Sequence, residues 1–422
     1  MQHSIWQNVK LKEYPSLNEN QETEILVIGG GICGILCAYY LSFNHQVMLV
    51  EAERIAGGRT GKTTAVITAL QDVYYKDLIR QKGKQAAKDY LQANLDAIEA
   101  YEKLSFDFDF DFERVSSYKY FQEKDETLKK EMKCIQELGF PAQQIDTMIE
   151  FPNQAQMNPL KLIANLLDNF SIYENTKIIA IKNQVAYTKE YAIQAKHIIV
   201  ATGYPFLKLK GLFPLKLTQK KSFVTVIENV NEKNYNAVGS MSEDLYFRTY
   251  KHYLIIGGND QKTGKQKKSF VNIINHIEKN YPNSRVLYQW VNQDCVTLDD
   301  FPYIGRYGMS EHVYVATGFN LWGMTGSMIA AKILVDRIEK RNNDYAYLFN
   351  PKRTMSFLPL CKNISTVLCN FFKFKKRCSH LGCALYFNKE EGVYECPCHG
   401  SKYSAQGDIL FNPAQTPIDI KK

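Results

Sequence analysis

EILVIGGGICGILCAYYLSFNHQVMLVE, residues 24–51, decides the fold. Ile25-Leu26-Val27-Ile28 is an apolar β-type run, and Gly29-Gly30-Gly31-Ile32-Cys33-Gly34 after it fits G-x-G-x-x-G. A helix-like segment rich in Ala, Leu, Ile and Tyr follows. A second apolar run at 47–50 ends on Glu51, 20 residues after Gly31. Each part has a physical role. Gly29 permits the tight turn, Gly31 lets backbone N–H groups approach a pyrophosphate, and Gly34 lets helix pack closely on strand. The helix N-terminus faces the phosphates, and Glu51 can accept hydrogen bonds from a ribose. The motif alone would be weak, since an ordinary Gly-rich βα turn can match it. Here the strand before it, the helix after it and the acid at the right distance point to a dinucleotide.

The 422 residues, 45% hydrophobic, suffice for a sizeable core and about two or three domains. A net charge of +8 is spread along the chain with no basic stripe, so no nucleic-acid partner is expected. The first residues, MQHSIWQNVKLKEYPSL, lack the apolar core of a signal peptide. No apolar run approaches the ~20 residues of a membrane helix. A soluble cytoplasmic protein is expected. Its ten cysteines are then not a secreted-type framework. Cys378, Cys383, Cys396 and Cys398 crowd together near the C-terminus and suggest a metal site.

Outward from the opening unit, residues 1–20 read as an exposed leader, with Ser4-Ile5-Trp6 packing back on the body. The loop 54–65, rich in Gly, Thr and cations, suits a path past a second phosphate. Periodicity predicts helix over 73–104, then a strand over 106–121 that begins FDFDFDFE, and helix over 128–138. Residues 151–159 read as a loop before a helix at 160–167, and 178–194 as a hairpin. Residues 197–203 form a strand running into a small-residue turn. Antiparallel strands are expected at 222–228, 245–250 and 253–257. Residues 255–260, IIGGND, mimic a nucleotide loop but lack the later glycines, and are read as a sheet turn. One nucleotide site is therefore expected. A strand at 313–317, a Gly-rich loop at 318–327 and a helix at 328–338 close this part.

Cys378-Ser379-His380 and Cys396-Pro397-Cys398-His399 supply C-x-H and C-x-x-H. A [2Fe–2S] centre of the Rieske type needs two thiolates on one iron and two imidazoles on the other. A Cys/His zinc site is the rival; the flanking Leu381-Gly382 and Gly400-Ser401 favour iron. Before these loops, 342–376 reads as a linker and a short amphipathic helix at 361–372. The strands that normally precede the first ligand loop are missing from the pattern.

The chain resembles the D-amino-acid-oxidase-like FAD-dependent oxidoreductases, most closely those with a C-terminal Rieske domain. The resemblance runs over residues 4–338 and rests on SIW, IGGGICG, GRTGKTTA, EFPNQAQMNPL, IIVATGYPF, QDCVTLDDFPYIGR and VATGFNLWGMTGSM, in order. It implies an α/β fold: a three-layer, Rossmann-like FAD-binding domain with an inserted antiparallel-sheet substrate domain, plus a small all-β Rieske-type module. The FAD-dependent oxidoreductase part would span 1–345. Its FAD-binding parts would lie near 20–75, 150–215 and 291–345, and its substrate-domain parts near 76–149 and 216–290. A linker at 346–375 and the cluster module at 376–422 would follow. The implied FAD-site residues are Gly29, Gly31, Gly34, Glu51, Gly58, Thr60, Thr63, Thr64, Gly203, Gly318 and Thr325. The helix after Gly318 could point at the pyrimidine end of the flavin.

The implied cluster ligands are Cys378 and Cys396 on one iron and His380 and His399 on the other, with a disulfide between Cys383 and Cys398. Arg248 could clamp a substrate carboxylate, or be a surface or structural arginine. Asn320 and Trp322 could wall the flavin site, although Trp322 also suits a core. Cys295 sits near where some relatives tether flavin, but its spacing to Phe301-Pro302 differs, so it reads as a buried thiol. No histidine occupies the loop at 61–63, so non-covalent FAD is expected. The expected reaction is oxidation of a small amine or amino acid by hydride transfer to flavin. Electrons would pass through the cluster to an external one-electron acceptor. Two alternatives stand beside it: an oxidase that uses O₂ with a vestigial Rieske segment, and a redox relay without a small substrate.

Overall fold

A computed structural model of the chain describes residues 3–71, 75–121, 126–207, 210–230, 235–239, 245–264, 269–354, 357–373 and 375–420. Its first sheet grows from the opening unit. Gln21–Ile28 pairs in parallel with Val47–Val50 on one side and Ala192–Gly203 on the other, with Leu26 opposite both Met48 and Ile198. Val313–Thr317 and then Tyr303–Arg306 extend one edge, and Ser171–Tyr173 the other. Successive side chains leave opposite faces. Ile25, Val27, Leu49 and Ile199 pack with Ile35, Leu36 and Leu334 of helices Ile32–Ser42 and Gly323–Ile338. Leu26, Ile28, Met48, Val50, Ile198 and Val200 pack on the other side with Phe206, Phe213, Tyr303 and Tyr307. Both faces are covered, which is why these strands are continuous apolar runs.

The second sheet is larger. Its order is Arg285–Thr297, Leu217–Glu228, Tyr253–Lys262, Leu245–Tyr250, Asn236–Gly239, Glu113–Tyr120, Met148–Gln156 and Val66–Ile67. It is antiparallel except where Asn236–Gly239 meets Glu113–Tyr120. It draws in Val66–Ile67, most of Met148–Gln156 and the end of Arg285–Thr297, beyond the stretches expected for a substrate domain.

Several expectations are corrected here. Residues 151–156 are strand, not loop, and only then does Asn158 cap helix Pro159–Leu166 by accepting from Leu160 and Lys161 N–H at 3.1 and 3.2 Å. The 255–260 segment lies inside strand Tyr253–Lys262 rather than at a turn, and Tyr246 packs over Gly257 where a Cβ would clash. The acidic-aromatic run at 106–112 ends a helix and enters a loop, and strand begins at Glu113. The helix expected from 73 is two, Tyr75–Lys82 and Lys84–Asp107, broken at Gly83 with φ 88°; residues 72–74 lie outside the described residues. The leader does pack back: Trp6 is fully buried and donates from Nε1 to the Thr63 carbonyl at 2.6 Å.

The third sheet is the small C-terminal one, Tyr386–Asn388, Val393–Glu395, Lys402–Tyr403 and Ile409–Phe411. The helix expected at 361–372 is present as Phe357–Phe371. It is tied on both sides. Asn363 donates to the Leu215 carbonyl at 3.0 Å, and Asn370 accepts at its carbonyl from Ala384 N–H at 2.9 Å. The cluster loops therefore lean on this helix and on the body of the protein. Among the described residues no helix is long and apolar enough to cross a membrane.

Candidate active site and metal centre

A cavity of about 400 Å³ runs along the C-terminal ends of the first sheet's strands. Gly29, at φ 116°, turns the chain so tightly that a Cβ would lie 2.6 Å from the Ala201 carbonyl oxygen. A Cβ on Gly34 would strike the Gly29 carbonyl, so this glycine sets helix-to-strand packing and not the lining. Gly31 caps helix Ile32–Ser42. Glu51 accepts from Gly30 N–H at 2.6 Å and Glu53 N–H at 3.0 Å. Burial raises its pKa, and these donors oppose the rise. The Thr60 hydroxyl accepts from Ile32 N–H at 3.0 Å, tying the following loop to the helix start.

The expected cofactor residues divide into two groups. Gly29, Gly31, Glu51, Gly58, Thr60, Thr63 and Gly203 line the cavity, whereas Gly34, Thr64, Gly318 and Thr325 stand behind it. Thr325 accepts from Gln71 Nε2 at 3.0 Å, and Gly318 lies under the Thr297 side chain. Asn320 accepts at Oδ1 from Thr297 N–H at 2.8 Å. Buried Asn320 Nδ2 and Trp322 Nε1 meet no partner among the described residues.

Arg248 is placed away from this lining. It is fully buried between Trp6 and Tyr250, with Nε donating to Gln156 at 3.0 Å, Nη2 to the Met157 carbonyl at 2.7 Å and Nη1 to the Thr64 carbonyl. All three nitrogens are thus committed to the protein, which is the structural alternative rather than a carboxylate clamp. Cys295 is a buried thiol whose pKa burial pushes up to about 11.

Arg59, quoted in the sequence but not singled out, lies across Gly203 in the cavity. Nη2 reaches Gln219 Oε1 at 2.8 Å, while buried Nε has no partner among the described residues. A cation with an unspent donor, beside a helix N-terminus and a glycine-lined floor, fits a pyrophosphate. Asp294 also lines the cavity, and burial lifts its carboxyl to about 6 against the opposing pull of Arg59.

The two cysteine loops are built alike. Cys378 N–H donates to Cys383 O and Gly382 N–H to Cys378 O; Cys396 N–H donates to Ser401 O and Gly400 N–H to Cys396 O, each at 2.9 Å. This folds Cys378 and Cys396 into sulfur contact and sets the His380 and His399 rings perpendicular, 4.9 Å apart. His399 Nε2 lies 2.8 Å from the Pro214 carbonyl. A carbonyl can only accept, so Nε2 holds the proton and Nδ1 keeps its lone pair. That Nδ1 is buried without a partner among the described residues, as a metal ligand would be. Cys383, Cys396 and Cys398 sulfurs lie within 4.8 Å of one another. Cys383 and Cys398, the pair for which the resemblance implies a disulfide, stand in sulfur contact. Two thiols, two imidazoles and an adjacent thiol pair fit a [2Fe–2S] centre. Tyr403, missed in the sequence, holds the first loop through Cys378 Sγ at 3.2 Å and Ser379 N–H at 2.9 Å.

The module docks against the body through buried contacts. Gln219 Nε2 donates to the His399 carbonyl at 2.7 Å, and Gln293 Nε2 to the Gly400 carbonyl at 2.6 Å. Lys221, 2% exposed, joins Glu391 at 2.7 Å and Glu395 at 3.0 Å. Tyr204, fully buried, lines the cavity and meets both imidazoles edge-on, with centroids 5.9 Å from His380 and 6.4 Å from His399.

The family model described as FAD dependent oxidoreductase matches residues 24–337. The chain belongs to the FAD dependent oxidoreductase family. A Rieske [2Fe-2S] domain model matches residues 366–421. FAD and a [2Fe–2S] cluster are the cofactors of these two parts. A Bacillus subtilis (strain 168) protein named as a Rieske 2Fe-2S iron-sulfur protein, YhfW, is 28% identical over 97% of this chain and 95% of its own. The chloroplastic cytochrome b6-f complex iron-sulfur subunit of Arabidopsis thaliana is 54% identical over 43 residues, 10% of this chain and 19% of that one. The oxidoreductase fold is shared with L-proline dehydrogenase from P. horikoshii, at TM-score 0.67, 18% identity, and coverage of 79% of this chain and 98% of that one. Glycine oxidase from Geobacillus kaustophilus gives TM-score 0.68 and 15% identity over 80% and 100%.

Tyr204 and Asp294 lie within motifs already quoted, ATGYPF and QDCVTLDDFPYIGR, so a reading of every polar or aromatic side chain there would have found them. The contacts made by 409–415 have no such local signal.

Proposed function

We propose that this oxidoreductase oxidises a small amine or amino acid and that the electrons leave through the C-terminal cluster. FAD supplies a hydride acceptor able to pass electrons on singly, and the cluster supplies a one-electron relay. The cradle we assign to FAD comprises Gly29, Gly31, Glu51, Gly58, Thr60, Thr63 and Gly203, backed by Gly34, Thr64, Gly318 and Thr325. The ligands we assign are Cys378, Cys396, His380 and His399. Asn320 and Trp322, which we keep as candidates for the flavin site, carry buried donors without a partner among the described residues; they do not line the cavity themselves but stand beside its lining residues Phe319, Leu321 and Gly323. Asp294 can hold or release a proton near neutral pH at the cavity wall.

The observation that carries the electron route is Tyr204: one ring belongs both to the cavity wall and to the contact surface of the histidine pair. Along that line of contacts Tyr204 touches both sites. The substrate class rests on the family and on the shared fold with enzymes named for amino acids. An anaerobic screen of small amines and amino acids, followed by bleaching of the flavin bands, tests it. At least one such compound should bleach the flavin; a holoprotein that none of them reduces contradicts the substrate class. Elemental analysis should give about two irons per chain, and zinc without iron would contradict the cluster.

A further inference from the structure

The Rieske-type module supplies part of the cavity wall. Strand Ile409–Phe411, with Asn412, Ala414 and Gln415 beyond it, lines the same cavity as Gly29–Gly31 and Glu51. Asn412 is held on three sides. Its Nδ2 donates to the Thr202 carbonyl at 3.0 Å, its Oδ1 accepts from Arg59 Nη2 at 3.3 Å, and its carbonyl accepts from Gln219 at 2.9 Å. The Phe411 ring lies under the Arg59 guanidinium, 4.7 Å from its centre. At the Glu51 end, Lys177 Nζ donates to the Gln415 carbonyl at 3.1 Å. One seven-residue segment, 409–415, therefore runs beside the cavity from the ribose acid to Gly203.

We infer that FAD is bound by both modules: segment 409–415 is a wall of the FAD site, and Phe411 and Asn412 hold Arg59 in place for the pyrophosphate. The inference rests on FAD lying in this cavity; it does not depend on the electron route. Arg59 explains why the wall matters. A long cation has many rotamers, and fixing one costs entropy. Phe411 below and Asn412 beside it fix the guanidinium while leaving Nε unspent. The same wall covers one side of the cavity, and shielding a cation–phosphate contact from water on that side strengthens it.

The test uses the full chain. FAD is stripped and its dissociation constant is measured by flavin fluorescence for wild type, Phe411→Ala, Asn412→Ala and Phe387→Ala. Phe387 is a 42%-exposed side chain on the same sheet, outside the cavity, and serves as control. The cluster EPR signal reports that each variant keeps the module folded. Phe411→Ala and Asn412→Ala should each weaken FAD by about tenfold, the loss of one good contact to a charged group, and Phe387→Ala should not. Variants with an intact EPR signal and wild-type FAD affinity overturn the inference. Should the variants lose the EPR signal, hydrogen exchange on the wild type decides: FAD should slow exchange across 409–415, and unchanged exchange there overturns the inference. A wild type that binds no FAD overturns the assignment of the cavity itself, a distinct result.

Discussion

Tyr204 and His380 meet edge to face, with ring centroids 5.9 Å apart and planes at 82°. Tyr204 follows directly on Gly203, so the same turn that shapes the cavity delivers the ring to the cluster loop.

Tyr204→Phe keeps the ring and should preserve both cofactor signals and the rate at which the cluster is reduced after the flavin. Tyr204→Leu replaces the bridge with a smaller, non-aromatic group in a fully buried site. It should destabilise the protein by about 1–3 kcal/mol and slow cluster reduction more than flavin reduction. Rapid-freeze EPR beside stopped-flow absorbance separates the two. Equal rates in the leucine variant would remove Tyr204 from the route.

Lys221 is the buried cation of the docking surface, shared by Glu391 and Glu395, with Lys402 adding bonds to Glu391 at 2.8 Å and Glu395 at 3.4 Å. Burial works against the Lys221 ammonium, but the two carboxylates outweigh it and raise its pKa. Lys221→Met leaves Glu395, fully buried, short of a partner. A loss of about 3–5 kcal/mol is expected, read as a lower unfolding temperature together with loss of the cluster signal.

The same group of charges gives a pH dependence. Burial would raise the Glu391 carboxyl, yet Lys402 and Lys221 hold it below its ordinary 4.5. A depressed carboxylate stabilises the fold above its unfolded value, and that contribution is lost as pH falls through the lower folded value. Docking should therefore loosen below pH 4.5, and Glu391→Gln should flatten that limb. Hydrogen exchange at 217–228 against pH checks it.

Asp294 gives the opposite sign. Its pKa rises from 3.8 to about 6 because burial disfavours the charge. Its contribution to stability is present below pH 3.8 and lost as pH rises through about 6. Asp294→Asn should raise the unfolding temperature of the FAD-free protein at pH 7.5 and leave it unchanged near pH 3.5.

Arg248→Met tests the reassignment of that arginine. Three protein acceptors, Gln156 and the Thr64 and Met157 carbonyls, would be left unpaired in the core, at about 1–3 kcal/mol each. A large fall in unfolding temperature is expected. Unchanged stability with lost substrate affinity would restore the carboxylate-clamp reading.

The parts legible in the sequence are those whose cause is local. Ile25-Leu26-Val27-Ile28 reads as a strand because every residue is apolar, and both of its faces are covered in the fold. Cys378, His380, Cys396 and His399 announce a metal by type and spacing. The misread segments owe their structure to distant partners. Residues 151–156 contain Pro152 and polar side chains, and are strand because Gln154 is satisfied by Thr68 and Ala69 and Gln156 by Arg248. Gly257 looks like a turn residue but serves the Tyr246 ring. The docking of 409–415 on Arg59 joins residues about 350 apart, and no periodicity or motif records it.

The most direct test of the account is an anaerobic titration of the holoprotein with a compound that bleaches its flavin, followed at once by absorbance and by the Rieske EPR signal. The account predicts that the EPR signal of the reduced cluster grows as the flavin is reduced, without any added mediator. A flavin that bleaches fully while the cluster stays oxidised would contradict it.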